Sequence, residues 1–315
     1  MRRVTILDDY QRAALSSADW SAVAARFELD VVDEHLGADA LATRLAHSEV
    51  VVAMRERTAF PAELFDRLPE LKLLVTTGMM NAVIDLEAAA AHGVTVSGAR
   101  GGGNSVPELT IGMMIALTRH FAEEDASIRA GGWQHTIGPG LQGKALGVLG
   151  LGRLGGPVAD LARAFGMHVI AWDRSITRER AAQHGATSVH KRELFEESDL
   201  LTIHMPLTES SRGLVGAREL GAMKPTAYLI NTSRGPIVDE SALLAALAER
   251  RIAGAALDVY ETEPLPADHA LRSMPNTLLL PHLGYVTTDQ FAHFYADVVE
   301  DILAWDGGAP VRLLR

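Results

Sequence analysis

The chain contains no cysteine, which removes a disulfide framework, a thiolate metal site and a cysteine nucleophile together. Its 12 histidines are scattered, with no H-E-x-x-H or similarly close-set ligand group, so no metal site is expected. Basic residues are in deficit: 29 Lys and Arg against 40 Asp and Glu give a formal charge of −11. That balance offers no general attraction to nucleic acid or an anionic membrane, although a small basic pocket would still hold an anionic ligand. Long apolar runs are missing too; stretches such as Thr110 to Leu117 stop well short of the ~18 residues that suggest a membrane span. After two arginines the N-terminus continues VTILDDYQRAALSSADW, with aspartates where a signal peptide would place its apolar stretch. A cytoplasmic protein acting on small molecules is expected, with neither nucleic acid nor membrane as partner.

What the sequence does have is a regular alternation. At 315 residues and 48% hydrophobic content, it exceeds the size at which a single core keeps growing, and two domains are expected. β-Branched runs begin at Val4, Glu28, Glu49, Lys72 and Val94 with helical patterns between them, which reads as a parallel sheet covered by helices. ARGGGNSVPEL follows, and its Gly101, Gly102 and Gly103 suggest a hinge. Ser105 and Glu108 have capping-box spacing and Pro107 suits a first turn, introducing a helix through Leu117. That helix is apolar nearly all round, so it must bury most faces, between domains or against another subunit. From Lys144 the alternation restarts through KALGVLG, MHVIAW, DLLTIH, TAYLIN, IAGAALD and TLLLP, a second sheet. A closing helix carries Phe291, Phe294, Tyr295, Val298, Ile302 and Trp305 on one face, with Asp289, His293, Asp297 and Glu300 mostly elsewhere. No repeat or low-complexity tract interrupts this α/β pattern, and no regulatory domain is expected after Arg315.

Gly150, Gly152 and Gly155 form G-x-G-x-x-G directly after a predicted strand, and Val158, Leu161, Ala162 and Phe165 give the following helix an apolar face. In that setting the glycines permit a tight turn and close backbone approach, while the helix N-terminus offers N–H groups and positive dipole to a pyrophosphate. The alternative is a plain glycine-rich turn. Asp173 ends MHVIAWD at the offset where a carboxylate hydrogen-bonds the adenosine ribose hydroxyls and repels a 2′-phosphate. Arg174 beside it would pair with a 2′-phosphate. NAD is the expected cofactor and NADP the alternative; a solvated strand end is the plainer account of both residues.

Three ionisable residues each lie just beyond a predicted strand of the second sheet: Arg234 after TAYLIN, Glu263 after IAGAALDVY and His282 after TLLLP. In an open α/β sheet that edge binds ligands, and it also carries the glycine turn. A guanidinium suits a carbonyl and carboxylate, and an imidazole beside a carboxylate suits proton exchange, so together they fit hydride transfer to a 2-keto acid. Taken singly, each reads as a surface charge or a structural histidine.

The blocks GLGRLG, NTSRGPIVDE, AALDVYETEP and PHLGY, in this order and at these separations, resemble the NAD-binding and catalytic segments of the D-isomer-specific 2-hydroxyacid dehydrogenase family. NSVPELTIG and DLEAAAAHGVTV are similar to it as well, so the resemblance covers nearly the whole chain. It implies two doubly wound parallel-sheet domains with an active-site cleft between them. One would be a Rossmann NAD-binding domain over 99–284 with a dimerisation helix and loop, the other a flavodoxin-like substrate domain from 1–98 and 285–315. The resemblance implies that His282 exchanges a proton with the keto or hydroxyl oxygen, that Glu263 pairs with it, and that Arg234 orients the substrate's carboxylate and carbonyl. Asp258 would bind the nicotinamide carboxamide, Arg153 and Leu154 would line the pyrophosphate turn, and Thr232 and Ser233 the nicotinamide side. It also implies a homodimer joined through the Ser105 helix and the following loop, with Trp133 entering the active site of the partner subunit; a loop tryptophan without that duty is the alternative.

Several positions depart from the family pattern. TTGMMNAVIDL keeps Gly78 but has Met79, Met80 and Asn81 where smaller residues often sit. The two methionines either form an adaptable apolar surface for a bulkier substrate or pack inward. Arg55, in MRERTAF, would lie at the substrate mouth and recognise a second anionic group, unless it and Arg57 are salt-bridged surface residues. Tyr285, just after PHLG, would narrow the pocket. The expected substrate is a small 2-hydroxy or 2-keto acid; 3-phosphoglycerate is not the expectation, but it stays open, because shorter enzymes acting on it also lack a regulatory domain. His282 separates the chain from formate dehydrogenases, which have glutamine there. An NADPH-dependent glyoxylate or hydroxypyruvate reductase is the enzymatic alternative, and a dinucleotide-sensing corepressor the alternative of another class.

Overall fold

A computed structural model describes residues 2–102 and 105–314. Gly103, the third glycine of the expected hinge, Asn104 of the NSVPELTIG block and Arg315 lie outside the described residues. The chain divides into two compact units, one of Met1–Gly103 with Val286–Arg315 and the other of Asn104–Tyr285.

The first unit holds five parallel strands: β1 (Arg3–Ile6), β2 (Glu28–Val31), β3 (Val50–Ala53), β4 (Leu73–Thr76) and β5 (Thr95–Gly98). Their order is β2-β1-β3-β4-β5, the flavodoxin-like arrangement, with its reversal between β1 and β3. Every residue of β3 and β4 is buried, as a central parallel strand with helices on both faces requires, and VVVA and LLVT are apolar enough to allow it. The helix Thr288–Asp306 belongs to this unit. Its N-terminus is capped by the Thr287 hydroxyl, which accepts from the Gln290 amide at 3.2 Å. Tyr295, fully buried, sets its ring 6.0 Å from Trp20 and 5.9 Å from Phe291.

One charge on that helix is not where its sequence pattern suggests. Asp297 is buried, because two arginines neutralise it: Arg100 donates from its backbone amide at 2.8 Å and from its guanidinium at 2.9 and 3.0 Å, and Arg312 lies 3.5 Å away. One turn on, Asp301 is wholly buried with Arg312 at 3.0 Å. Burial pushes the Asp301 carboxyl up to about 7 against the pull of Arg312.

The second unit holds seven parallel strands: β6 (Ala145–Leu149), β7 (His168–Trp172), β8 (Thr187–Ser188), β9 (Leu200–Ile203), β10 (Tyr228–Asn231), β11 (Gly254–Leu257) and β12 (Thr277–Leu279). The order β12-β11-β10-β9-β6-β7-β8 is the Rossmann order extended by one strand, reversing between β6 and β9. Only β8 lies outside the expected strands, since two residues are too few to show a period. The helix that the Ser105 and Glu108 spacing introduces is described over Ser105–Thr118, and its cap lies outside the described residues. Its Ile111, Met113, Met114 and Leu117 join Leu146, Val148, Val158 and Ala162 in one core. Its own sheet and the helix after β6 thus cover one side of the helix, while Leu109, Ile115 and Ala116 stay half-buried. Among the described residues no helix is long and apolar enough to cross a membrane.

Asp301 supplies a stability test. Its folded value of about 7 stands above the ordinary 3.8, so the native state holds the proton more tightly than the unfolded chain, and stability falls as pH rises through that interval. Asp301→Asn should flatten this decline, by on the order of 1–3 kcal/mol across the interval. Urea unfolding at a series of pH values reads it, and parallel declines in variant and wild type would contradict it.

Candidate active site

All strands of the second sheet run parallel, so the loops leaving β6, β7, β9, β10, β11 and β12 begin on one edge. Beyond β6, Gly150 takes φ +100°, a conformation open to glycine and costly for other residues. A Cβ there would meet Met205 Cγ at 2.7 Å and the His204 carbonyl at 2.9 Å. At Gly152 the Cβ direction is open except for the Arg180 Nη2 at 4.0 Å. At Gly155 it is closed by the Gly150 carbonyl and by Val148 Cγ1 at 3.1 Å. The three glycines thus serve the turn, the approach of a ligand and the packing of helix on strand, in that order. The helix Gly155–Ala164 begins here, with Leu154 at its N-cap and Arg153 exposed beside it. An open cradle, a helix N-terminus and two guanidinium groups fit a pyrophosphate. Arg180 was not singled out in the sequence; TRERAAQ shows only a basic helix start, and nothing local says that it reaches back to the glycine turn.

Beyond β7, Asp173 Oδ1 accepts from the Ser175 amide at 2.8 Å and the Ser175 hydroxyl at 3.2 Å. The Arg174 guanidinium donates to the Ser210 carbonyl in the loop after β9. His204, at the end of β9, is buried beside the glycine turn, and burial lowers its imidazole to about 4, which keeps it neutral. Its Nε2 lies 2.9 Å from the Thr202 hydroxyl.

Beyond β10, Asn231 shapes the turn that carries three expected site residues. Its Oδ1 accepts from the Ser233 amide at 3.1 Å and its Nδ2 donates to the Arg234 carbonyl at 3.0 Å. Thr232 places its hydroxyl 3.0 Å from that of Thr110, and the Ser233 hydroxyl donates to the Met205 carbonyl. Arg234 is half-buried, with Nη1 donating to the Ser233 carbonyl at 2.8 Å.

Beyond β11 and β12 the structure brings Glu263 and His282 together: Nδ1 of the imidazole is 2.6 Å from Glu263 Oε2. Glu263 Oε1 accepts from the Tyr260 amide at 2.9 Å, and the Tyr260 hydroxyl donates to the carbonyls of Leu257 and Leu280 at 3.2 and 2.9 Å. The two loops are tied at their bases. Tyr285 is buried with its ring edge-on to His282, centroids 5.5 Å apart. Asp258, fully buried, accepts from the Leu283 amide at 2.6 Å and the Gly284 amide at 2.9 Å. Burial raises its carboxyl above the usual range, while the two amides and the adjacent imidazole pull the other way. Trp133 is 76% exposed on the loop after the helix Phe121–Arg129, with Ile137 fully exposed further along.

In the first unit, Arg55 follows β3 at the strand-order reversal and adopts φ 51°. Its guanidinium lies against Gly78, beyond β4, where a Cβ would be 3.2 Å from Cζ. Nη1 of Arg55 donates to the Thr77 carbonyl at 3.4 Å, and its Nε is 3.6 Å from Glu56. Asn81 joins the two loops by donating to the Arg55 carbonyl at 2.7 Å and lying 2.9 Å from the Thr76 hydroxyl. Met79 is 42% and Met80 82% exposed, so neither packs inward.

A glycine turn at the reversal of a doubly wound sheet, with polar groups ranged along the same edge, defines a dinucleotide-binding α/β protein. Residues 111–284 match the sequence model described as D-isomer specific 2-hydroxyacid dehydrogenase, NAD binding domain. The D-3-phosphoglycerate dehydrogenase of Bacillus subtilis is 38% identical over 268 residues, 84% of this chain and 51% of that protein. The chain thus spans about half the length of the D-3-phosphoglycerate dehydrogenases it matches. The glyoxylate reductase of Aeropyrum pernix is 38% identical over 264 residues, 80% of this chain and 79% of that one. A solved structure, a putative D-3-phosphoglycerate dehydrogenase oxidoreductase from Ralstonia solanacearum, superposes with a TM-score of 0.94 at 35% identity, over 99% of this chain and 96% of that one. The chain belongs to the D-isomer specific 2-hydroxyacid dehydrogenase family, and the dinucleotide its second unit takes is a nicotinamide dinucleotide.

The glycines separate stability from binding. Gly155→Ala should lower the unfolding free energy by ~1–3 kcal/mol, since its Cβ has no room. Gly152→Ala should stay within ~0.5 kcal/mol of wild type yet weaken dinucleotide binding, because the new methyl group occupies the cradle. Thermal melts and fluorescence titration with NADH read the two effects; unchanged NADH affinity in Gly152→Ala would remove the cradle from the cofactor site.

Proposed function

We propose that the chain is an NAD-dependent D-2-hydroxyacid dehydrogenase, a reductase of a small 2-keto acid, and the observation that carries this reading is the His282–Glu263 pair on the edge that bears the glycine turn. The bound reduced nicotinamide supplies the hydride to C2 of the substrate. His282 gives the proton that the reduced carbonyl oxygen needs, through Nε2, the nitrogen that Glu263 does not engage. Glu263 holds the ring by Nδ1 and so fixes the direction in which Nε2 points. In the oxidative direction His282 removes the hydroxyl proton. The planar Arg234 guanidinium holds the substrate's carboxylate and carbonyl. Asp258 takes the nicotinamide carboxamide; each of its oxygens accepts one backbone amide and keeps a second lone pair. Thr232 and Ser233 line the nicotinamide side, and Arg153, Leu154 and the glycines line the pyrophosphate.

The substrate domain is residues 1–98 with 285–315 and the NAD-binding domain is 99–284. Gly78 offers its backbone to the substrate carboxylate, and exposed Met79 and Met80 give the substrate's side chain an apolar, adaptable surface. Arg55, at a strand-order reversal, serves a second anionic group, and Tyr285 against His282 narrows the pocket. NAD is favoured over NADP because Asp173 stands at the end of β7 while the Arg174 guanidinium is engaged by Ser210. A second reading, an NADPH-dependent glyoxylate or hydroxypyruvate reductase, draws on Arg180 near the same turn. Exposed Phe121, Ile128, Trp133 and Ile137 support a homodimer in which Trp133 serves the partner's site. The acidic charge balance supports a protein without nucleic-acid or membrane partners, and a chain without cysteine suits a cytoplasmic setting.

The reading is tested by following reduced nicotinamide absorbance with NADH and NADPH, each offered glyoxylate, hydroxypyruvate, pyruvate, phenylpyruvate and branched 2-keto acids. Oxidation of NADH by one of them is expected; binding without turnover of any would overturn it in favour of a dinucleotide-sensing binding protein. His282→Ala should lower kcat by roughly 10²–10⁴-fold with NADH still bound, and full activity in this variant would refute its role. Asp173→Ala should weaken NADH more than NADPH; equal losses would count against the ribose contact.

A further inference from the structure

His282 sits in the left-handed region, φ 55°, which residues with a side chain adopt uncommonly. The turn it makes sends the next two amides toward one point, a concave arrangement of N–H groups that binds anions. The anion is the Asp258 carboxylate, with Leu283 on Oδ1 at 2.6 Å and Gly284 on Oδ2 at 2.9 Å. Asp258 is itself anchored: it is fully buried, and its backbone amide donates to the Asn231 carbonyl at 3.0 Å. The contact leaves little slack, since a Cβ on Gly284 would stand 3.3 Å from Asp258 Oδ2 and 3.2 Å from Val106 Cγ2. On the other side of the histidine, Glu263 holds Nδ1.

We propose that Asp258 is a positioning residue for the acid–base histidine: by holding the Leu283 and Gly284 amides it fixes His282 in the backbone conformation that sets the imidazole against Glu263. The imidazole is thus held twice, by its ring through Glu263 and by its backbone through Asp258. This duty rests on the proposed role of His282 and is separate from contact with the nicotinamide carboxamide, because it runs through the Leu283 and Gly284 backbone amides.

Asp258→Asn keeps the shape but turns one acceptor into an NH₂ group, so one of the two amides loses its partner. Gly284→Ala crowds the same contact and leaves the carboxylate intact. Three quantities are read: the rate of diethyl pyrocarbonate modification of His282 in dinucleotide-free protein, followed by peptide mass spectrometry; the dissociation constant of NADH; and kcat with its primary deuterium isotope effect. Both variants should modify severalfold faster at His282, and kcat should fall by roughly a hundredfold with a larger isotope effect, as expected for a displaced catalytic group. Gly284→Ala, which keeps the carboxylate, should do so with a smaller change in the NADH dissociation constant than Asp258→Asn. Wild-type modification rates at His282 in both variants would overturn the proposal and leave Asp258 to the carboxamide alone. If wild type reduces no keto acid, the dehydrogenase reading falls while the modification rates still decide the positioning role.

Discussion

Parallel strands place every loop that follows them on one edge, and the chemistry of the second unit depends on this constraint. Residues scattered from Gly150 to His282 come to one edge because β6, β10, β11 and β12 all run the same way. The short polar ties at the strand ends then set the loops: Asn231 across its own turn, Tyr260 between the bases of two loops, and Asp258 under the histidine. Each is a hydrogen bond made within the protein that sets where a loop residue stands.

The acidic excess of the chain is handled by sorting carboxylates according to what meets them when they leave water. Asp297 is met by two arginines and stays ionised, below the usual carboxylate range despite burial. Asp301 shares one of those arginines with its neighbours and is pushed up by burial instead. Asp258 has no cation within its loop and relies on two backbone amides and the adjacent imidazole. Buried charge is tolerated at each place by a different partner.

Much of the architecture was legible in the sequence because parallel strands buried on both faces need β-branched apolar runs, and these stand out between helical patterns. The two-residue β8 was not, because two residues are too few to show a period. The Asp297 side of the last helix was misread because helical periodicity sees one helix at a time, whereas Arg100 and Arg312 come from elsewhere in the chain. Similar reasons hid Arg180, Asn231 and His204. A residue beyond a strand end can be picked out from local pattern; whether its polar atoms meet a ligand, a neighbouring loop or a backbone amide depends on groups far away in sequence.

The first unit is assembled from both ends of the chain, with the whole second unit made in between. Arg100 and Asp297, which lock its last helix in place, are separated by 197 residues. On the ribosome the second unit therefore has all of its strands before the first has its full cover, and the nascent five-stranded sheet must wait with one apolar flank unprotected until the helix Thr288–Asp306 emerges. The rate at which the middle of the message is translated sets how long that flank stays open to chaperones and to aggregation.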